Sequence, residues 1–154
     1  MGKIFCDIRK CLGCKSCEIA CAVEHSRSKS IFEAIREEKR PRQRVVVESS
    51  AREPFPLRCH HCEDALCVQA CMSGAMYKDE EGFTRHDPEK CVGCWMCIMV
   101  CPFGAISRQE NLALKCDLCP DREESFACVE ACPTKALFAG SWEEFQKKLE
   151  QRES

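Results

Sequence analysis

The chain has 154 residues, enough for one domain or two small ones. Seventeen are cysteine, above the roughly 8–10% that marks a cysteine-built scaffold, and they swell the 45% apolar fraction, so oily burial alone is a thin basis for folding. With 23 basic and 25 acidic residues and a net charge of −2, composition gives no electrostatic case for nucleic acid or an anionic membrane surface.

In chain order, Ile4, Cys6 and Ile8 alternate in a first strand, which makes Cys6 a buried structural thiol. Next come Cys11, Cys14, Cys17 and Cys21, spaced C-x2-C-x2-C-x3-C. Ile31 to Lys39 predicts a helix that stops at Pro41, and Arg44 to Glu48 predicts a strand. The basic stretch Arg36 to Arg44 predicts a solvated face. The second group, Cys59, Cys62, Cys67 and Cys71, reads C-x2-C-x4-C-x3-C. Met76 to Lys78, Asp79 to Gly82 and Phe83 to Arg85 predict strand, turn, strand. The third group, Cys91, Cys94, Cys97 and Cys101, repeats the spacing of the first. The fourth, Cys116, Cys119, Cys128 and Cys132, reads C-x2-C-x8-C-x3-C. Proline follows Cys101 and Cys132. Ser141-Trp142-Glu143-Glu144 is a capping box that opens a C-terminal helix, with Trp142, Phe145 and Leu149 on its packing face.

Three cysteines two residues apart wrap a tight loop around one object, so their thiolates converge on the corners of a cube. The fourth lies one helical turn further on and points away, free to ligate a neighbouring cluster, as in two-cluster ferredoxins. Four such groups predict four [4Fe–4S] cubanes bound by all sixteen grouped cysteines. Zinc is the bland alternative, but structural zinc joins two C-x2-C knuckles across a longer loop. Four cysteines within eleven residues, twice over, and the C-P endings suit it poorly. Disulfides are disfavoured by the odd cysteine count and by an opening, MGKIFCDIRK, without an apolar signal core. The longest apolar-looking run, Trp95 to Ile106, is shorter than the roughly 20 residues of a spanning helix. A soluble, cytoplasmic protein is expected.

The sequence also repeats itself. Asp, Lys, Cys, Gly and Cys recur between Asp7–Cys14 and Asp87–Cys94, and Cys67-Val-Gln-Ala-Cys71 matches Cys128-Val-Glu-Ala-Cys132. Gly13 and Gly93 fall inside ligand loops, where glycine tolerates positive φ and lets N–H groups turn toward sulfur. The strand–turn–strand connection between Cys71 and Cys91 pairs groups two and three in one unit, leaving one and four to form a second around it. Sequential pairing, one with two and three with four, is equally compatible with the repeat itself. The four histidines, His25, His60, His61 and His86, are too scattered for a metal site. His60 and His61 sit in the second ligand loop, either tuning a cluster by hydrogen bonding or simply exposed. Trp95 and Met96 are expected to shield a cluster from water.

The expected fold class is α+β: two nested bacterial-ferredoxin-like units with pseudo-twofold symmetry, each holding two [4Fe–4S] clusters, with a small core built around them. One sub-unit takes residues 1–30 and 107–140, and the other takes 59–106. An insertion covers 31–58 and a C-terminal helix 141–154.

These residues resemble the four-cluster ferredoxin-like electron-transfer subunits that accompany formate dehydrogenases, dimethyl sulfoxide reductases and hydrogenases. A narrower resemblance lies in Cys14 to Ser26, Cys59 to Asp64 and Cys91 to Ile106, which look most like the iron–sulfur protein of anaerobic nickel carbon monoxide dehydrogenase. The resemblance implies four ligand sets. Cys11, Cys14 and Cys17 join Cys132; Cys116, Cys119 and Cys128 join Cys21; Cys59, Cys62 and Cys67 join Cys101; and Cys91, Cys94 and Cys97 join Cys71. Ala22 and Met72 stand where proline often follows the last cysteine. No phosphate-binding loop, nucleotide fingerprint or nucleophile–base pair appears, so a non-catalytic electron conduit is expected. Its partners would be a catalytic oxidoreductase, carbon monoxide dehydrogenase first, and an acceptor such as a hydrogenase, a flavoprotein NAD(P) reductase or a ferredoxin. The alternatives are a subunit of a formate dehydrogenase or hydrogenase complex, an accessory maturation protein, or a zinc-stabilised interaction module.

Overall fold

The computed structural model describes residues 2–49, 53–123 and 125–153. The chain divides into two compact units, Met1–Pro56 with Cys119–Ser154, and Leu57–Leu118. The second unit is one continuous segment, lying in sequence between the two segments of the first.

In the first unit, β1 (Lys3–Cys6) pairs antiparallel with β8 (Leu137–Gly140), in register from Lys3 opposite Gly140 to Cys6 opposite Leu137. The two ends of the chain are thus tied into one ladder. Helix α1 (Ser16–Glu24) buries Cys17 and Cys21, one turn apart on a single face, and packs against α5 (Ala127–Glu130), which buries Cys128. Glu24 joins Lys29 and the Arg122 guanidinium, each at 2.9 Å, and Arg122 also pairs with Glu130. Strand β2 (Val45–Ser49) turns Val45 and Val47 inward and pairs with β3 (Pro54–Arg58), which carries the chain into the second unit.

Helix α2 is shorter than its sequence suggests, Ile31–Ala34 rather than Ile31 to Lys39. The Glu37 carboxylate turns back and accepts the backbone N–H groups of Ser28 (2.8 Å) and Arg27 (3.3 Å), which draws the chain out of the helical path. The basic stretch beyond it is a solvated face, with Arg36, Lys39, Arg40 and Arg42 all exposed.

The second unit contains α3 (Leu66–Gln69), α4 (Met96–Val100) and two hairpins, β4 (Met76–Lys78) with β5 (Thr84–His86) and β6 (Ser107–Gln109) with β7 (Leu112–Leu114). The first hairpin closes through Asp79, whose carboxylate accepts the Phe83 N–H at 2.8 Å and holds Arg85 at 2.6 Å. The core of this unit is rich in sulfur. Met76, Cys97, Ile106 and Ala113 are buried together, with Cys67, Cys71, Cys91 and Cys101 packed around them. The second hairpin belongs to this core through Ala113. That is why the compact unit runs to Leu118, past the sub-unit limit at 106 expected from sequence.

Helix α6 (Trp142–Glu153) opens with the expected capping box: Ser141 N–H donates to Glu144 Oε2 at 2.8 Å, and Glu144 N–H donates to Ser141 Oγ at 3.2 Å. Phe145 is its buried anchor, stacked 5.2 Å from Phe5 and 6.1 Å from Phe138. Trp142 lies 5.6 Å from Phe5 but stays 54% exposed, so it covers the edge of this aromatic cluster rather than filling it. Truncating a buried phenylalanine removes both transfer energy and packing, typically about 3 kcal/mol or more. Phe145→Ala is therefore expected to lower the anaerobic melting temperature measurably. An unchanged midpoint would mean that α6 does not stabilise the unit.

Candidate functional site

Each unit contains a small cysteine-lined cavity. In the first unit the lining includes Cys11, Cys14 and Cys17 from the tight loop, and Cys132 from far along the sequence. In the second it includes Cys91, Cys94 and Cys97, with Cys71. The loops that present the three close cysteines share one backbone design. Gly13 and Lys15 take φ of 65° and 61°; Gly93 and Trp95 take 67° and 66°. Alternating left-handed residues curl the backbone so that successive sulfurs face inward. A Cβ on Gly93 would lie 2.6 Å from the Asn111 carbonyl oxygen, so that position excludes any side chain. The third cysteine of each loop, Cys17 or Cys97, is in the first turn of α1 or α4. Burial pushes both thiols up to about 11.

The remote cysteines are prepared alike. After Cys71 come Ser73, Ala75 and Met76, and after Cys132 come Thr134, Ala136 and Leu137; all six line their respective cavities. Burial works against the Cys71 thiolate, yet the Met76 N–H (3.3 Å to Sγ) and the Ser73 hydroxyl (3.6 Å) hold the thiol below its usual range. Cys132 is likewise held down, against burial, by the Leu137 N–H and the Thr134 hydroxyl. Cys14 is lowered by Ser16 and is exposed, as is Cys94, so each cavity has one sulfur at the surface. Leu12 and Val92, neighbours of the first cysteine in each loop, are about 70% exposed.

Cys6 is half-buried and lines the first cavity rather than sitting in an apolar core. The ladder register explains this, because Cys6 faces Leu137, itself a lining residue. Among the other cysteines, Cys21 Sγ accepts the Arg44 N–H at 3.2 Å and lies 3.7 Å from His25 Nδ1. Burial raises the thiols of Cys67 and Cys116, the latter to about 11. Trp95 lines the second cavity, with the Arg108 guanidinium 4.5 Å above its ring, while Met96 is 38% exposed and absent from the lining.

His60 and His61 part company. His60 is exposed and stacks on Phe103 at 4.2 Å. His61 is only 2% exposed, and among the described residues neither ring nitrogen has a hydrogen-bond partner. Burial, reinforced by the cations of Lys115, Arg85 and Lys78, lowers its pKa to about 3. A neutral, buried imidazole between Cys59 and Cys62 with an unused N–H fits an inorganic or thiolate sulfur as acceptor. Soft sulfur donors around a closed loop, remote thiols held below their usual range and this idle donor together fit iron–sulfur clusters. The sulfur spacing and the glycine pattern were legible in the sequence. The burial of His61 and the placement of Cys6 depend on tertiary packing and carried no local signal.

Comparison with known proteins gives the same chemistry. Residues 50–142 match the family model of the 4Fe-4S dicluster domain. The iron–sulfur protein of Rhodospirillum rubrum is 42% identical over 151 residues, covering 87% of this chain and 79% of that protein. The electron transport protein HydN of Escherichia coli K12 is 35% identical over 165 residues, covering 96% and 90%. The B subunit of the anaerobic dimethyl sulfoxide reductase of the same organism is 36% identical over 154 residues, covering 94% and 75%.

The close approach at Gly93 gives a direct test. Gly93→Ala is expected to lower iron content, whereas Gly82→Ala, which carries the same positive-φ strain outside a cysteine loop but whose added Cβ meets nothing within 4 Å, retains it. Equal iron in both variants would show that the loop does not need its curled form to hold metal.

Proposed function

This protein belongs to the 4Fe–4S dicluster family, and on that premise we propose that it is a non-catalytic relay holding four [4Fe–4S] clusters in two ferredoxin-like units. The observation that carries this reading is the pairing, inside each unit, of one tight three-cysteine loop with one remote cysteine around a single cavity. Cys11, Cys14, Cys17 and Cys132 would hold one cluster and Cys91, Cys94, Cys97 and Cys71 another. Cys59, Cys62, Cys67 and Cys101 would hold a third. Cys21, Cys116, Cys119 and Cys128 would hold a fourth; these last two sets rest on the resemblance to the four-cluster ferredoxin-like subunits.

When bound, such clusters accept and release single electrons with little rearrangement. The work of the polypeptide is positioning and tuning. The curled loops fix the sulfurs, burial of Cys17 and Cys97 keeps water from part of each site, and the N–H and hydroxyl donors at Cys71 and Cys132 offset thiolate charge. The surface sulfurs Cys14 and Cys94 offer short paths for electrons to enter or leave. Among the described residues no helix is long and apolar enough to cross a membrane.

Transfer would run between a catalytic oxidoreductase and a second acceptor. Similarity to a subunit of dimethyl sulfoxide reductase and to an electron transport protein supports a subunit or carrier role. Carbon monoxide dehydrogenase as the catalytic partner rests on the resemblance of the three stretches around the first three cysteine groups. A hydrogenase, a flavoprotein NAD(P) reductase or a ferredoxin would then be the acceptor, in an anaerobic cytoplasmic setting.

The test is anaerobic mixing of the full-length protein with nickel carbon monoxide dehydrogenase and carbon monoxide, following the loss of cluster absorbance. Rapid reduction is expected. Cys97→Ser should still bind the enzyme yet pass electrons at least tenfold more slowly to an added acceptor. Equal transfer by variant and parent would contradict the relay. Reduction only by a formate dehydrogenase or hydrogenase would replace the partner and keep the relay.

A further inference from the structure

Lys115 lies immediately after β7 and directly before Cys116, and it is 3% exposed. Its ammonium donates to the Thr84 carbonyl at 2.6 Å and the Cys116 carbonyl at 2.8 Å. Among the described residues no carboxylate forms an ion pair with it. Burying an ammonium is costly unless an opposite charge is near, and two carbonyl dipoles are a modest substitute. Arg85, by contrast, has the Asp79 carboxylate at 2.6 Å.

The interior of this unit is rich in sulfur. Ala113, two residues earlier in the sequence, packs in the core that carries Cys67, Cys71, Cys91 and Cys101. Lys115 directly precedes Cys116, and the bond from its ammonium to the Cys116 carbonyl holds the charge beside the backbone of that proposed ligand. A cluster with four thiolates is a net anion and becomes more negative by one unit on reduction. A cation held in the interior, where screening by water is weak, favours that reduced form.

We propose that Lys115 is a positioned positive charge that raises the reduction potential of the cluster bound through Cys116. The role rests on the ligand scheme proposed above. It makes Lys115 a tuning residue rather than a ligand, and it accounts for an unpaired ammonium in a sulfur-rich interior. In a titration, the electron added to each cluster comes from dithionite through mediators, and Lys115 neither gains nor loses a proton.

The experiment is an anaerobic potentiometric titration of the full-length protein, followed by electron paramagnetic resonance, with iron measured on every sample. In Lys115→Met, one of the reduction steps should move to lower potential by at least tenfold in equilibrium constant, about 59 mV for one electron, while the others stay in place. Lys115→Arg should match the parent. Lys115→Gln, which keeps a donor for the Thr84 carbonyl but no charge, should behave like Lys115→Met. Full iron with unshifted potentials in both neutral variants would overturn the proposal and leave the cluster assignment standing. Loss of iron confined to the neutral variants would support the need for charge. Loss of iron in Lys115→Arg as well would overturn the proposal in favour of a purely steric role. A parent protein without iron would instead defeat the proposed function.

Discussion

The fold depends on bringing a distant cysteine to a tight three-cysteine loop. Sulfur is part of the interior that surrounds these loops. Among the described residues, one buried cluster of the second unit joins Met76, Cys97, Ile106 and Ala113, with further cysteines packed against it. In the first unit Cys132 reaches the loop at Cys11 to Cys17 because β1 and β8 join the two ends of the chain in one ladder. In the second, Cys71 and the loop at Cys91 to Cys97 are joined by the β4–β5 hairpin and by packing of α3 against α4. The ladders and short helices are therefore read as devices that position sulfur. Metal that binds a site absent from the unfolded polypeptide contributes its binding energy to folding.

Both units answer the same electrostatic problem in the same way. Thiols such as Cys17 and Cys97 are pushed toward the neutral form by burial, whereas Cys71 and Cys132 are drawn toward thiolate by donors from the residues that follow them. Ser73 and Thr134 stand at the same offset, as do Ala75 and Ala136 and Met76 and Leu137, within the repeated stretches that begin at Cys67 and Cys128. Charge is the remaining lever on cluster potential, and the second unit concentrates it in Lys115, Lys78, Arg85 and Arg58 around His61 and Cys116.

Much of this was legible because it is local. Cysteine spacing, the glycines within the loops, the Asp79–Gly82 turn and the Ser141–Glu144 capping box each declare themselves within a few residues. The features that escaped are set by contacts between distant segments. Helix α2 ends early because the Glu37 carboxylate finds the N–H groups of Arg27 and Ser28, a contact no helical periodicity reveals. Cys6 looked like an ordinary strand thiol until the register with Leu137 placed it at a cavity. Lys15 and Trp95 carry left-handed backbone without glycine's ease, so side-chain chemistry gave no hint of it. Nothing in the sequence around Lys115 distinguishes it from a surface charge, and only its burial between two carbonyls marks it out.

The central claim is that metal–sulfur cubes, rather than packed hydrocarbon, fill and operate this molecule. Iron, acid-labile sulfide and zinc measured together on the anaerobically purified full-length protein test it most directly. The account predicts about sixteen iron and sixteen sulfide per molecule, from four cubanes with four of each, and little zinc. A colourless protein with zinc in place of iron, or with far less iron than that, would contradict it.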